Sequence, residues 1–340
     1  MGSFDVVDAL AEGIDKAAAD NSFAGVIRVD SGEEVLLARA YGYADRAHRV
    51  ANTVETQFGI ASGVKGLTGL TVVSLVEEGI LELGTTARAL LGSDLPLIAD
   101  SVTVEHLLRH RSGIGDYLDE DAVQEITDYV MPVPIHELAS TEQYLVALDG
   151  NAAAFEPDAR FSYNNAGYVL LAVIAERVTG IPFHDLVAQR VCRPAGLIDT
   201  AFLRSDELPG RAAIGYLAAD GLRSNVLHLP VCGSGDGGIY STAADIHALW
   251  NAFFTGRIVS RDWVTEMVRP RNDALSETKR YGLGFWLHPS SDAVMLEGYD
   301  AGVSFRTVHD PGRRITYTVL SNWSGGAWPM TRSLDELLAL

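Results

Sequence analysis

FGIASGVKGLTGLTVVSLVEEG, residues 58–79, is the stretch from which the rest of the chain is best read. From Val64 onward its apolar residues fall nearly all round a helical wheel, so residues 64–79 predict a central, largely buried helix. Gly79 is a natural stop. Lys65 is the only basic residue in that helix, and burying an ammonium that has no task is costly. If Ser62 opens the helix, Lys65 lies one turn later on the same face. A serine hydroxyl is a poor nucleophile until a neighbour takes its proton. A desolvated lysine can do so, because burial lowers its pKa. The free N–H groups of the helix start, Ser62's own included, suit an oxyanion. Alone, S-x-x-K is a common spacing; its setting in an apolar helix gives it weight.

Moving outward, residues 4–20 carry apolar residues at helical spacing and predict an opening helix. Two strand-like runs follow, Gly25–Val29 and Glu34–Ala40, with Asp30-Ser31-Gly32 as a hairpin turn. The middle of the chain is mostly helical in pattern. Residues 101–111 predict a helix capped by Thr103, and residues 165–179 predict a second one ended by Gly180 and Pro182. The last third returns to strands at Tyr281–Leu287, Ala293–Leu296, Phe305–His309 and Arg314–Ser321, with a closing helix over Met330–Leu338. Strands at both ends and helices between them predict an α+β fold: one antiparallel sheet with an inserted helical lobe. The expected division is 1–84 with 235–340 for the sheet domain and 85–234 for the helical one.

The 340 residues are 47% hydrophobic and 21% charged, as in a globular enzyme, and the formal net charge is −19. Such a surface repels nucleic acid and anionic lipid, so neither is an expected partner. No segment approaches the ~20 apolar residues of a membrane span. The start, MGSFDVVDALAEGID, lacks the basic and apolar regions of a signal peptide, which predicts a cytoplasmic location. Cys192 and Cys232 lie outside any CxxC pair, and two buried free thiols are expected.

A second candidate constellation is Phe161-Ser162-Tyr163-Asn164-Asn165, just before a buried helix. A tyrosine there can point into a cleft, where a nearby ammonium would favour its phenolate and make it a base. Asn165 can orient a substrate or hold Lys65. The bland alternatives are a loop-anchoring tyrosine and a helix-capping asparagine. The run Gly233–Thr242 lacks the spacing and basic residue of a phosphate loop and reads as a tight turn that caps a helix. His106 and His110 are four apart, but Leu107 breaks H-E-x-x-H, so capping or core roles are expected and no metal site. Ala61-Ser62-Gly63 is not the G-x-S-x-G elbow of a Ser-His-Asp hydrolase.

Ser62-x-x-Lys65 followed about a hundred residues later by Tyr163-x-Asn165 resembles the serine β-lactamase and penicillin-binding-protein family. The branch is that of class C β-lactamases, D-alanyl-D-alanine carboxypeptidases, D-aminopeptidases and related esterases. Leu107–Gly113 (LLRHRSG), Phe155-Glu156-Pro157, Arg193–Leu197 and Tyr281–Gly284 match in the same order, and the likeness runs along almost the whole chain. The resemblance implies a β-lactamase/transpeptidase-like fold with the site between sheet and helical lobe. It also implies roles: Ser62 acylated, Lys65 and Tyr163 sharing base and acid duty, Asn165 orienting the substrate, and no cofactor.

The chain departs from the family at its third motif. Members carry K-T-G, H-x-G or W-x-G on the strand facing the serine; here the stretch is Met295-Leu296-Glu297-Gly298-Tyr299-Asp300-Ala301-Gly302. Leu296-x-Gly298 keeps the glycine and is the preferred register over Tyr299-x-Ala301, which makes Leu296 and Gly298 candidate substrate contacts. The Lys or His that would pair with a substrate carboxylate is gone. Arg306 is a partial substitute. The expected function is a carboxylesterase-like hydrolase of small neutral esters or amides. The alternatives are a β-lactamase or D-amino-acid peptidase acting on lactams or peptides, and a non-catalytic binding protein that keeps the fold.

Overall fold

The computed structural model describes residues 3–118, 120, 123, 125–274 and 278–339. Among them an eight-stranded antiparallel sheet runs in the order Glu34–Tyr41, Gly25–Ser31, Ile315–Ser321, Val303–Asp310, Val294–Asp300, Trp286–Leu287, Lys279–Tyr281, Asn272–Ala274. Both ends of the chain feed it: Gly25 pairs with Ser321, and the register holds to Ser31 opposite Ile315. The fold class read from the sequence is therefore the one observed.

The sheet is apolar on both faces because both are covered. Val26, Val294, Leu296, Phe305 and Leu320 pack towards the Val64–Glu77, Asn165–Thr179 and Ala243–Phe254 helices. Ile27, Val29, Met295, Val308, Tyr317 and Val319 pack towards the terminal helices, Ser3–Asp20 and Ala327–Leu338. Neighbouring residues thus go to opposite faces, as the two-residue period of a strand requires. No single helix among the described residues is long and apolar enough to cross a membrane. Cys192 and Cys232 are free and buried, as expected.

Three local expectations change. The first strand continues through Asp30 and Ser31 with a bulge after Val29, so the turn is Gly32-Glu33. Tyr281–Leu287 is a hairpin: Lys279–Tyr281 and Trp286–Leu287 pair antiparallel, with Gly282 N–H donating to the Phe285 carbonyl in the turn. Gly284 takes φ +89° there, which an L side chain rarely adopts. The helix capped by Thr103 covers only Val104–Leu108, so His110 lies beyond its end at φ +54°.

Candidate active site

The Val64–Glu77 helix is buried on all sides along twelve of its fourteen residues, from Val64 to Leu75. It enters through a short 3-10 turn, Ala61–Gly63, in which Ala61 holds φ +43°. The turn is braced from two sides. The short strand Phe58–Gly59 pairs with Tyr240–Ser241, and Gly298 lies so near that a Cβ on it would sit 2.0 Å from the Ile60 carbonyl oxygen. Ser62 is left partly exposed at the floor of a groove of about 580 Å³ that is also lined by Tyr163, Trp286, Glu297, Gly298 and Arg306.

Lys65 is 2% exposed. Its Nζ lies 2.9 Å from Ser62 Oγ, 2.8 Å from Asn165 Oδ1 and 2.8 Å from the Asp236 carbonyl oxygen. Three acceptors meet the three protons of an ammonium. Burial is the largest influence on this group and pulls its pKa below the lysine range; Asp236, then Glu120, Asp116 and Asp300, oppose it. Asn165 is fixed by its own donors. Its Nδ2 donates to Glu120 Oε1 at 2.8 Å and to the Leu118 carbonyl, which turns Oδ1 to Lys65. Its backbone N–H donates to Asp116 Oδ2 at 2.6 Å, while Asn164 caps the helix through Gly167 N–H.

Tyr163 stands on the opposite side of Ser62. Both side chains line the groove, and Lys65 Nζ lies 4.9 Å from the centre of the tyrosine ring. That ring stacks on Trp286 at 5.6 Å and lies tilted by 32° against His110 at 4.4 Å. Burial, then Glu120 and Tyr281, hold the phenol well above its usual range. The shift runs against the expected resting phenolate, with burial as its largest cause. His110, read at first as a helix residue, is a buried brace for this cluster. Its Nδ1 accepts from Asn164 N–H at 3.0 Å and its Nε2 meets Tyr281 Oη at 3.1 Å. Burial and Lys65 keep it neutral. His106 closes a capping box with Thr103, so the two histidines do not share a site.

The third motif divides. Gly298 lines the groove, but the Leu296 side chain does not: it points under the helix, where a Cβ on Gly66 would come within 2.6 Å of Leu296 Cδ2. Leu296 is a core residue, because strand alternation sends 294 and 296 to the helix face and 295, 297 and 299 to the other. Arg306 does line the groove, but it is paired with Glu297 and Asp335 at 3.1 Å each, so it is not the substitute cation expected.

The turn Gly233–Thr242 packs beside the helix as expected, Thr68 Oγ1 donating to the Gly235 carbonyl at 2.6 Å and Thr242 capping the next helix. It also supplies Lys65's third acceptor. On that side Ala61, Tyr117, Asp236, Tyr240 and Asp300 line a smaller cavity of about 70 Å³. Asp236 accepts from Tyr117 Oη. Burial raises the Asp236 carboxyl and pushes that of Asp300 up to about 7. Glu120, Asp236 and Glu297 were not singled out from sequence. A backbone carbonyl leaves no mark on residue type, and the acids had no motif around them.

A family model described as Beta-lactamase matches residues 10–339. A penicillin-binding protein of Bacillus subtilis (strain 168) is 26% identical over 297 residues, which is 83% of this chain and 63% of that one. Esterase EstB of Burkholderia gladioli is 30% identical over 218 residues, 59% of this chain and 52% of the esterase. The chain thus spans 63% and 52% of the length of these relatives. The crystal structure of a penicillin binding protein from Bacillus halodurans superposes with a TM-score of 0.89 at 31% identity, covering 95% of this chain and 99% of that one.

Proposed function

Since the chain belongs to the beta-lactamase family, we propose that it is a serine hydrolase that cleaves small neutral esters or amides through an acyl group carried on Ser62. The observation that carries this reading is the buried Lys65 amine 2.9 Å from Ser62 Oγ, with its pKa lowered by burial. In the proposed step Oγ attacks the substrate carbonyl and its proton passes to neutral Lys65. The Ser62 N–H, at a helix start, faces the oxyanion. The Tyr163 phenol, neutral and in reach of Ser62, gives its proton to the leaving oxygen or nitrogen and is reprotonated from Lys65. Water then repeats the sequence in reverse on the acyl-enzyme, restoring Ser62 and releasing the acid.

The core Leu296 in place of a Lys or His supports neutral substrates, because no cation from that position meets a substrate carboxylate. The esterase relative fits the same reading. Ser62→Ala should abolish hydrolysis of a short-chain 4-nitrophenyl ester; turnover that persists in the variant rejects the assignment. A second reading, an amidase for aminoacyl substrates, is favoured by the smaller cavity. It carries Asp236 and Asp300, and among the described residues no lysine or arginine lines it. An amine on the acyl side would find carboxylates there.

A further inference from the structure

Among the described residues, the groove in front of Ser62 is lined by three basic side chains, Lys279, Arg306 and Arg332, and two acidic ones, Glu120 and Glu297. Glu297 is placed to occupy the inner cations. It follows Leu296 on the Val294–Asp300 strand and stands directly across from Arg306 on the next. Lys279 Nζ lies 2.5 Å from Glu297 Oε2 and Arg306 Nε lies 3.1 Å from Oε1. All three side chains are less than a fifth exposed, so water screens these charges weakly. Arg306 also pairs with Asp335 through Nη1, and its Nη2 reaches Met295 Sδ at 3.5 Å. Lys279 lies 5.1 Å from the centre of the Trp286 ring, itself stacked on Tyr163. Arg332 is exposed on the Ala327–Leu338 helix, where solvent and salt blunt its pull. Glu120 is exposed at the groove and adds negative charge.

We propose that Glu297 is a specificity-determining residue: its carboxylate occupies the inner cations of the groove and so selects against substrates whose leaving group is an anion. This rests on the reading of Ser62 as nucleophile and Tyr163 as donor to the leaving group. Tyr163 lines this groove and not the smaller cavity, so the leaving group lies along Glu297. A carboxylate on it meets a like charge held in place, which costs binding in ground and transition states alike.

The test compares two esters with the same acyl group, 4-nitrophenyl acetate and 3-carboxy-4-nitrophenyl acetate. Each kcat/KM is divided by the ester's own rate with hydroxide. The wild-type protein should favour the uncharged ester by at least about tenfold, and Glu297→Gln should shrink that ratio by about tenfold. A wild-type ratio near one, or a ratio unchanged in Glu297→Gln, overturns the proposal. If Glu297→Gln fails to fold, the wild-type protein is given the matching ester with a trimethylammonium in place of the carboxylate. A normalised kcat/KM at least equal to that of the uncharged ester supports the proposal, and one reduced as much as that of the carboxylate ester overturns it. Ser62→Ala is run beside them. Turnover equal to wild type there removes the nucleophile reading itself, an outcome distinct from an unmoved ratio.

Discussion

In the proposed reaction Lys65 is the residue on which the chemistry turns, and its environment pulls in two directions. Burial favours the neutral amine, while the surrounding carboxylates, Asp236 first, favour the ammonium. The net displacement is downward, so the amine is freed at lower pH than in a solvated lysine. kcat/KM should therefore rise with pH along a limb whose midpoint lies below the ordinary 10.5. Lys65→Ala and Tyr163→Phe should each lower kcat by at least ~100-fold, the usual scale for a positioned proton transfer. Near-normal rates in either variant, or a limb at the free-lysine value, contradict the assignment. Ser62, Lys65, Tyr163 and Asn165 were legible in the sequence because each is a chemically distinctive side chain at a recurring spacing. The Asp236 carbonyl and the charge on Glu297 were not, since their meaning depends on what the fold lays against them. Leu296 was misplaced for a related reason: the preferred spacing was kept, but the register of the strand sends that side chain into the core.

At the scale of elements, the site depends on how closely a strand passes the serine turn. Gly298 faces Ile60 across a gap that admits no methyl group, and a Cβ there would also lie 3.1 Å from Ala61 Cβ. Gly298→Ala must push the turn or the strand aside. It should cost about 1–3 kcal/mol of stability and lower kcat, since Ser62 is two residues from the clash. Thermal melts and ester kinetics check both, and a variant with wild-type melting temperature and rate contradicts the bracing role. The Asn165–Thr179 helix was readable because its apolar pattern is unbroken and its ends carry Asn164 and Gly180. The hairpin at 279–287 was hidden. Tyr281, Leu283, Phe285, Trp286 and Leu287 are all buried, so its turn carries the apolar signal of a strand.

For the molecule as a whole, strands at both chain ends predicted one sheet, and that sheet is present. The pairing of Gly25 with Ser321 was beyond the sequence, because register is set by the packing of both faces. The net charge of −19 has a counterpart inside, where Asp116 and Asp300 are each pushed up to about 7, chiefly by burial. Between the ordinary 3.8 and about 7 the folded state binds protons that the unfolded state has lost. Each group therefore destabilises the fold progressively as pH rises through that window. Asp300→Asn should stabilise the protein, by on the order of 1–3 kcal/mol at pH 8 and by little near pH 4. Under the aminoacyl reading it should also erase any preference for D-phenylalanine 4-nitroanilide over its N-acetyl derivative. A stability gain that does not depend on pH contradicts the buried-carboxylate account.

The central claim is met most directly by covalent labelling. The native protein is treated with a fluorophosphonate and each adduct is located by peptide mass spectrometry. The account predicts one label per chain, on Ser62, formed far more slowly in Lys65→Ala. A label on another residue, or a protein that hydrolyses esters while Ser62 stays unmodified, would contradict it.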